Sequence, residues 1–287
     1  MKRQYFLTDL DGTLLRSDTT LSDFTVDVLN QTLAEGHVCS FATARSFISA
    51  KPLVESIGWS YPVIVYNGAL IVDPQSERIL YAKFLSSDIT TQILEFGRRT
   101  GLLPLVFGME PSAAQRVWHE EFVSDGLRRF VESRPGDPRF QTREPLSLRR
   151  GDQVIMLTYI ASKAELQPFK DHLIDMLNDE IHLHFTKDTY LQDDYFLEIS
   201  HPHANKEEAM KAWASLVGCS PSHVTVFGDN LNDIGLFRGA GKKLAVANAH
   251  QELQVVASEM IGTNDQDGVA KYIHASRACQ ESGSQSD

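Results

Sequence analysis

With 287 residues, 42% of them hydrophobic and 23% charged, the chain can bury one large core or two ordinary ones. Its formal net charge of −11 argues against general nucleic-acid binding, which needs a basic footprint, but permits an anionic small molecule held by a few cations and a metal. Three widely spaced cysteines, Cys39, Cys219 and Cys279, form no metal-ligand pattern and read as free thiols. No apolar run approaches the ~20 residues of a membrane span, and the N-terminal run is too short for a signal peptide, so a cytoplasmic location is expected.

The first predicted element is a strand over Tyr5–Thr8. Ser22 caps a helix whose apolar positions Val26, Leu29 and Leu33 recur at helical spacing and which stops at Gly36. A strand over 38–42, a helix over 46–57 and a strand over 62–66 follow, and Asn67-Gly68 turns the chain into a strand over 69–72. This β-α-β-α-β rhythm predicts an α/β fold, a parallel sheet with helices on its faces. Between about residues 84 and 184 the pattern changes, with strands over 154–160 and 181–185, a helix over Lys163–Leu177, and the loop-like "SRPGDPRFQTREP" at 133–145. We read 84–189 as a smaller inserted domain. The alternation resumes with strands over 195–200, 223–227 and 243–247 and helices over Lys206–Val217, 232–238 and 250–259. The expected core domain is therefore 1–83 plus 190–275, and residues 276–287 are expected to be a disordered polar tail.

In an open parallel sheet, ligands bind beyond the carboxyl ends of the strands. The residues there are Asp9 and Asp11, Thr43, Asn67 and "GDNLND" at 228–233, with Lys206 one loop later. For Asp9 and Asp11, an Asx turn is the bland alternative. A calcium loop fails, because its glycine position falls on Leu14 and its glutamate position on Thr20. As a reacting pair, two carboxylates two residues apart in extended chain share a face while Leu10 points away, and their repulsion calls for a cation such as Mg2+. Asp229 and Asp233 read as helix caps or as a second metal-binding pair. A lysine in a helix's first turn opposes the dipole, so Lys206 is either a surface residue or the partner of an anion. Thr43 is a helix cap or a hydroxyl donor to that anion. Taken together these residues make a phosphoryl-transfer site, in which Asp9 and Asp229 hold Mg2+ while Thr43 and Lys206 screen phosphate oxygens.

The order "DLDGT" (9–13), "ATAR" (42–45), "NK" (205–206) and "GDNLND" (228–233), with "YNGAL" (66–70), "VANAHQEL" (246–253) and "TNDQDGVAKYI" (263–273), resembles the haloacid dehalogenase superfamily. The likeness is to the Cof-type phosphatases, which have a Rossmann-like core and a large inserted α/β cap. It implies Asp9 as nucleophile and metal ligand, and Asp11 as proton donor and acceptor that also meets the metal. Asp229 and Asp233 complete the metal site, Asp233 through the second layer or a water. Leu10 and Ala44 through their main chain, with Thr43, Lys206 and Asn232, hold phosphate. The implied activity is Mg2+-dependent hydrolysis of a small phosphorylated metabolite, a sugar phosphate, nucleotide or flavin mononucleotide, through an aspartyl-phosphate. A phosphotransferase or phosphomutase would use the same residues, and a non-catalytic phosphate-sensing module would have lost some of them. Two departures stand out: Ala44 replaces the family's usual glycine, and Asn205 and Glu207 flank the lysine, Glu207 bringing a carboxylate near it. His201 and His203 read as surface residues, and Arg116, Trp118 and His119 as possible substrate contacts from the insertion.

Overall fold

The protein is described here from a computed structural model covering residues 3–122, 124–187 and 194–283, with side chains to Arg277. Two compact units emerge, one of residues 1–82 and 205–287, the other of residues 83–204. Cys39 and Cys219 are free thiols, and Cys279 lies outside the described side chains. Among the described residues no helix is long and apolar enough to cross a membrane.

The first unit opens with β1 (Tyr5–Thr8), α1 (Asp23–Ala34), β2 (Val38–Phe41), α2 (Phe47–Val54), β3 (Val63–Val65), β4 (Leu70–Val72) and β5 (Ile79–Ala82). The second contains α3 (Ser87–Thr100), β6 (Leu105–Met109), β7 (Gln115–His119), α4 (Asp125–Glu132), β8 (Phe140–Thr142), β9 (Gln153–Ser162), α5 (Lys163–Leu177), β10 (His182–Lys187) and β11 (Asp194–Ser200). The chain then returns to the first unit with α6 (Lys206–Val217), β12 (Val224–Gly228), α7 (Ile234–Gly239), β13 (Lys242–Val246), α8 (Gln251–Val256), β14 (Glu259–Ile261) and α9 (Gly268–Gly283).

The parallel sheet runs β14-β13-β12-β1-β2, a Rossmann-like order. Phe6, Leu7, Val38, Phe41, Val226 and Phe227 are all buried, as expected of central strands covered on both faces. A single parallel bridge from Ala42 to Ile64 continues the sheet toward the antiparallel β3-β4-β5. In α1 the Ser22 hydroxyl accepts from the Thr25 N–H as predicted, but the buried stripe is Thr25, Val28, Leu29 and Thr32. Threonine substitutes for an apolar residue there because Thr32 Oγ1 donates to the Val28 carbonyl at 2.6 Å, so its methyl can be buried at no hydrogen-bonding cost.

The second unit is a six-stranded sheet, β10-β11-β9-β6-β7-β8. Its main core joins Ile93 and Leu94 of α3 and Leu166, Phe169 and Leu173 of α5 to Val106, Trp118, Leu157 and Leu197 of the sheet. Residues 194–200, expected in the core domain, belong here instead, because β11 is hydrogen-bonded between β9 and β10 along its length. Trp118 is likewise a core residue with no exposed surface, Arg116 is paired with Glu110 at 3.1 Å, and His119 stacks on Phe122.

Of the expected disordered tail over 276–287, residues 284–287 lie outside the described residues, and the rest is helical. Helix α9 continues to Gly283, and buried Arg277 donates from Nε to Glu35 Oε2 at 2.7 Å and from a terminal nitrogen to Oε1. That pair holds the Glu35 carboxyl below its usual range and pins α9 beside α1. Arg277→Ala should lower unfolding stability by about 2 kcal/mol in urea titrations; an unchanged midpoint would show the last turns of α9 to be dispensable.

Candidate active site

Every residue expected to react or to hold the metal or the phosphate lies in the first unit. Asp9 continues β1 by one residue, its N–H donating to Phe227 of β12 at 3.0 Å. The chain then reverses around the Leu10 carbonyl, which accepts from Thr13, Leu14 and Leu15. Gly12 makes this possible, with φ +76° and no Cβ; a Cβ would lie 2.5 Å from Asp229 Oδ2. Thr13 Oγ1 donates to Asp229 Oδ1 at 3.0 Å, joining the exits of β1 and β12.

Lys206 begins α6 after its N-cap Asn205, whose side chain accepts from Glu208 N–H. The anion it meets is protein: its ammonium, with no exposed side-chain surface, donates to Asp9 Oδ1 at 2.5 Å and Asp233 Oδ1 at 2.7 Å. Burial disfavours its charge, but Asp233 and Asp9 outweigh that and raise its pKa. Asp233 Oδ2 accepts from the N–H groups of Asp229 and Asn230. Both Asp233 oxygens are thus engaged in orienting its neighbours.

Carboxylate oxygens of Asp9, Asp229 and Asp233 lie within 4.8 Å of one another. Burial pushes Asp9 well above the usual carboxylate range; Lys206 opposes this and Asp233 and Asp229 reinforce it. Asp229 is raised to about 6, first by burial and then by Asp233. Three carboxylates facing one ammonium leave a deficit of positive charge, and hard oxygen donors suit Mg2+. The donor set therefore fits that ion.

Asp11 is placed differently. Its side chain is 45% exposed and forms a two-pronged pair with Arg45, Nε to Oδ2 at 2.7 Å and a terminal nitrogen to Oδ1 at 2.6 Å. Thr43 is buried, and its Oγ1 accepts from Arg45 N–H at 3.1 Å, leaving the hydroxyl hydrogen to donate elsewhere. Among the described residues the N–H groups of Leu10 and Ala44 donate no hydrogen bond, so both can serve an anion. Ala44 does not have a positive φ, so alanine there carries no strain. Glu207 turns from Lys206 to Lys211 at 3.1 Å and Arg238 at 3.6 Å. Asn232 Nδ2 donates to Asn67 Oδ1 at 2.9 Å. Arg45 and Asn67 had only their places in motifs and at strand exits to mark them, since their partners are 34 and 165 residues away.

The family model of the haloacid dehalogenase-like hydrolases matches residues 6–273. Among curated proteins, the Bacillus subtilis 5-amino-6-(5-phospho-D-ribitylamino)uracil phosphatase YitU is 23% identical over 92% of this chain and 94% of its own. The Escherichia coli pyridoxal phosphate phosphatase YbhA is 23% identical over 93% and 96%. Among solved structures, a haloacid dehalogenase-like hydrolase from Bacteroides thetaiotaomicron superposes with a TM-score of 0.79 at 21% identity, over 96% of this chain and 99% of that one.

The raised Asp229 carboxyl makes the metal-free protein sensitive to pH. A folded-state pKa of about 6 against an ordinary 3.8 contributes stability that is present below pH 3.8 and lost as pH rises through 6. Asp229→Asn, which keeps an acceptor for Thr13, should therefore stabilise chelator-treated protein at pH 8 by no more than about 3 kcal/mol. The two proteins should converge near pH 4; parallel stability curves would refute the electrostatic account.

Proposed function

The chain belongs to the haloacid dehalogenase-like hydrolases and is an enzyme of that family, and from this premise we propose that it is a Mg2+-dependent, Cof-type phosphatase acting on a small phosphorylated metabolite. The observation that carries the reading is the buried pairing of Asp9 Oδ1 with Lys206 beside Asp229. It fixes one oxygen of the carboxylate and leaves Oδ2, which makes no hydrogen bond among the described residues, to react.

Asp9 and Asp229 would hold Mg2+, with the Asp11 main chain, while Asp233 acts by holding Lys206 and the Asp229 loop. Bound there, the ion would neutralise charge on the transferring phosphoryl group. The Leu10 and Ala44 N–H groups, the Thr43 hydroxyl, Lys206 and Asn232 would bind the phosphoryl oxygens. Asp9 Oδ2 forms a bond to phosphorus as the bond to the leaving oxygen breaks, and that oxygen takes a proton from Asp11. Water then attacks the aspartyl-phosphate, giving its proton to Asp11, and releases phosphate with the Asp9 carboxylate restored. In the arrangement observed, both Asp11 oxygens are engaged by Arg45, so proton transfer requires that pair to open.

Relatives named for different phosphorylated heterocycles, a ribitylaminouracil phosphate and pyridoxal phosphate, support the substrate class without singling out a member. Purified protein should hydrolyse at least one compound in a panel of such phosphates, sugar phosphates, nucleotides and flavin mononucleotide, and chelation should remove the activity. Complete inactivity with Mg2+ present would favour a sensing module. Asp9→Asn should abolish turnover with the fold intact. Asp11→Asn should slow alkyl phosphates at least about tenfold more than p-nitrophenyl phosphate, whose leaving group needs little protonation; equal losses on both would refute the proton-transfer role.

A further inference from the structure

We infer that Asn67 is a positioning residue for phosphate binding, and that the turn Tyr66-Asn67-Gly68 sets the spacing between the loops carrying Thr43, Lys206 and Asn232. The inference rests on reading those residues as a phosphate site. Three consecutive residues of this turn have positive φ: Tyr66 at 50°, Asn67 at 51° and Gly68 at 100°. Left-handed backbone is costly for a bulky side chain such as that of Tyr66, so the surroundings must impose it there.

Chain reversal alone accounts for only two of the three. Val65 pairs with Leu70 in the antiparallel ladder, leaving residues 66–69 to connect β3 to β4, where an Asn-Gly pair closes a hairpin with positive φ at both of its residues and asks nothing of Tyr66. What the turn adds is contact with three other loops. Tyr66 N–H donates to the Arg45 carbonyl at 2.9 Å and Asn67 N–H to the Thr43 carbonyl at 3.0 Å. Asn67 Oδ1 accepts from Asn232 Nδ2 at 2.9 Å. The bare Cα of Gly68 packs on the Asn205 carbonyl, one residue before Lys206, where any Cβ would collide. The left-handed conformation thus sends the turn's main-chain donors to one loop, its amide to a second and its missing Cβ to a third.

The side chain and the backbone can be separated experimentally. Asn67→Gly keeps the left-handed backbone accessible and removes the acceptor for Asn232. It should weaken inorganic phosphate binding in the presence of Mg2+, measured by calorimetry, and raise KM for p-nitrophenyl phosphate, each about tenfold. kcat should change less, and the thermal midpoint should stay near that of the wild type. In Asn232→Ala protein the same substitution should have a smaller effect than in the wild type, because the bond between the two side chains is already gone. Wild-type phosphate affinity and KM in Asn67→Gly would overturn the inference, as would full multiplication of the two single effects in the double variant. A lower midpoint with unchanged binding would reduce Asn67 to a structural role. If the wild type binds phosphate but hydrolyses no ester, the phosphatase reading fails while the binding data still decide this inference; if it binds no phosphate, both fail.

Discussion

The buried ammonium of Lys206 is the interaction on which the rest of the site depends. Desolvating a lysine is costly unless paired oxygens surround it, and here Asp9 and Asp233 supply them with almost no exposure of any of the three side chains. The pairing links the exit of β1 to the start of α6 and the turn after β12. Asp233 extends it, since its second oxygen gathers the Asp229 and Asn230 N–H groups. One ion triad therefore fixes the carboxylate proposed to attack phosphorus, the cation beside it and the peptide that presents Asp229.

The loop after β1 is held from the other side by the end of the chain. Asn248 donates to the Gly12 carbonyl at 2.8 Å and Asn264 to that of Leu15 at 3.0 Å. Asp265 accepts from Ser17, and Asp267 from Arg16 and Ser22. Two segments roughly 250 residues apart in sequence thus act as one support. Their stiffness has a chemical use: a carboxylate surrounded by like charges stays in place only if its backbone cannot retreat.

How much of this was legible in the sequence depended on whether the controlling partner was local. Lys163–Leu177 and Lys206–Val217 appear with the bounds expected, because caps and periodicity are local signals. Helix α3 gives no such periodic signal: its buried stripe is Thr90, Ile93, Leu94 and Gly97, and a threonine and a glycine blur the apolar rhythm. Strand β14, with only three paired residues, is too short to show as a strand, and its first residue, Glu259, falls at the end of the helix expected over 250–259. Strand β11 shows its strand pattern in the sequence but not its sheet, because alternation reveals pairing and not the partner. At the site, residue chemistry was readable and direction was not. Lys206 does meet anions at its helix start, but they are carboxylates of the protein, and Asp233 orients its neighbours with both oxygens already engaged.

The contrast between Asp9 and Asp11 completes the picture. Asp9 is enclosed and tied to a buried cation, whereas Asp11, two residues on, is paired with an arginine that is itself 31% exposed. An ion pair open to water is worth only about 0–1 kcal/mol, while the buried one resists opening far more strongly. The same short segment thus presents one carboxylate that cannot move and another that moves at little cost. Nucleophilic attack needs a fixed oxygen at a set distance from phosphorus. Proton transfer needs a group that can serve first the leaving oxygen and then water. In the mechanism proposed, the pair that has to open is the weaker, exposed one between Asp11 and Arg45.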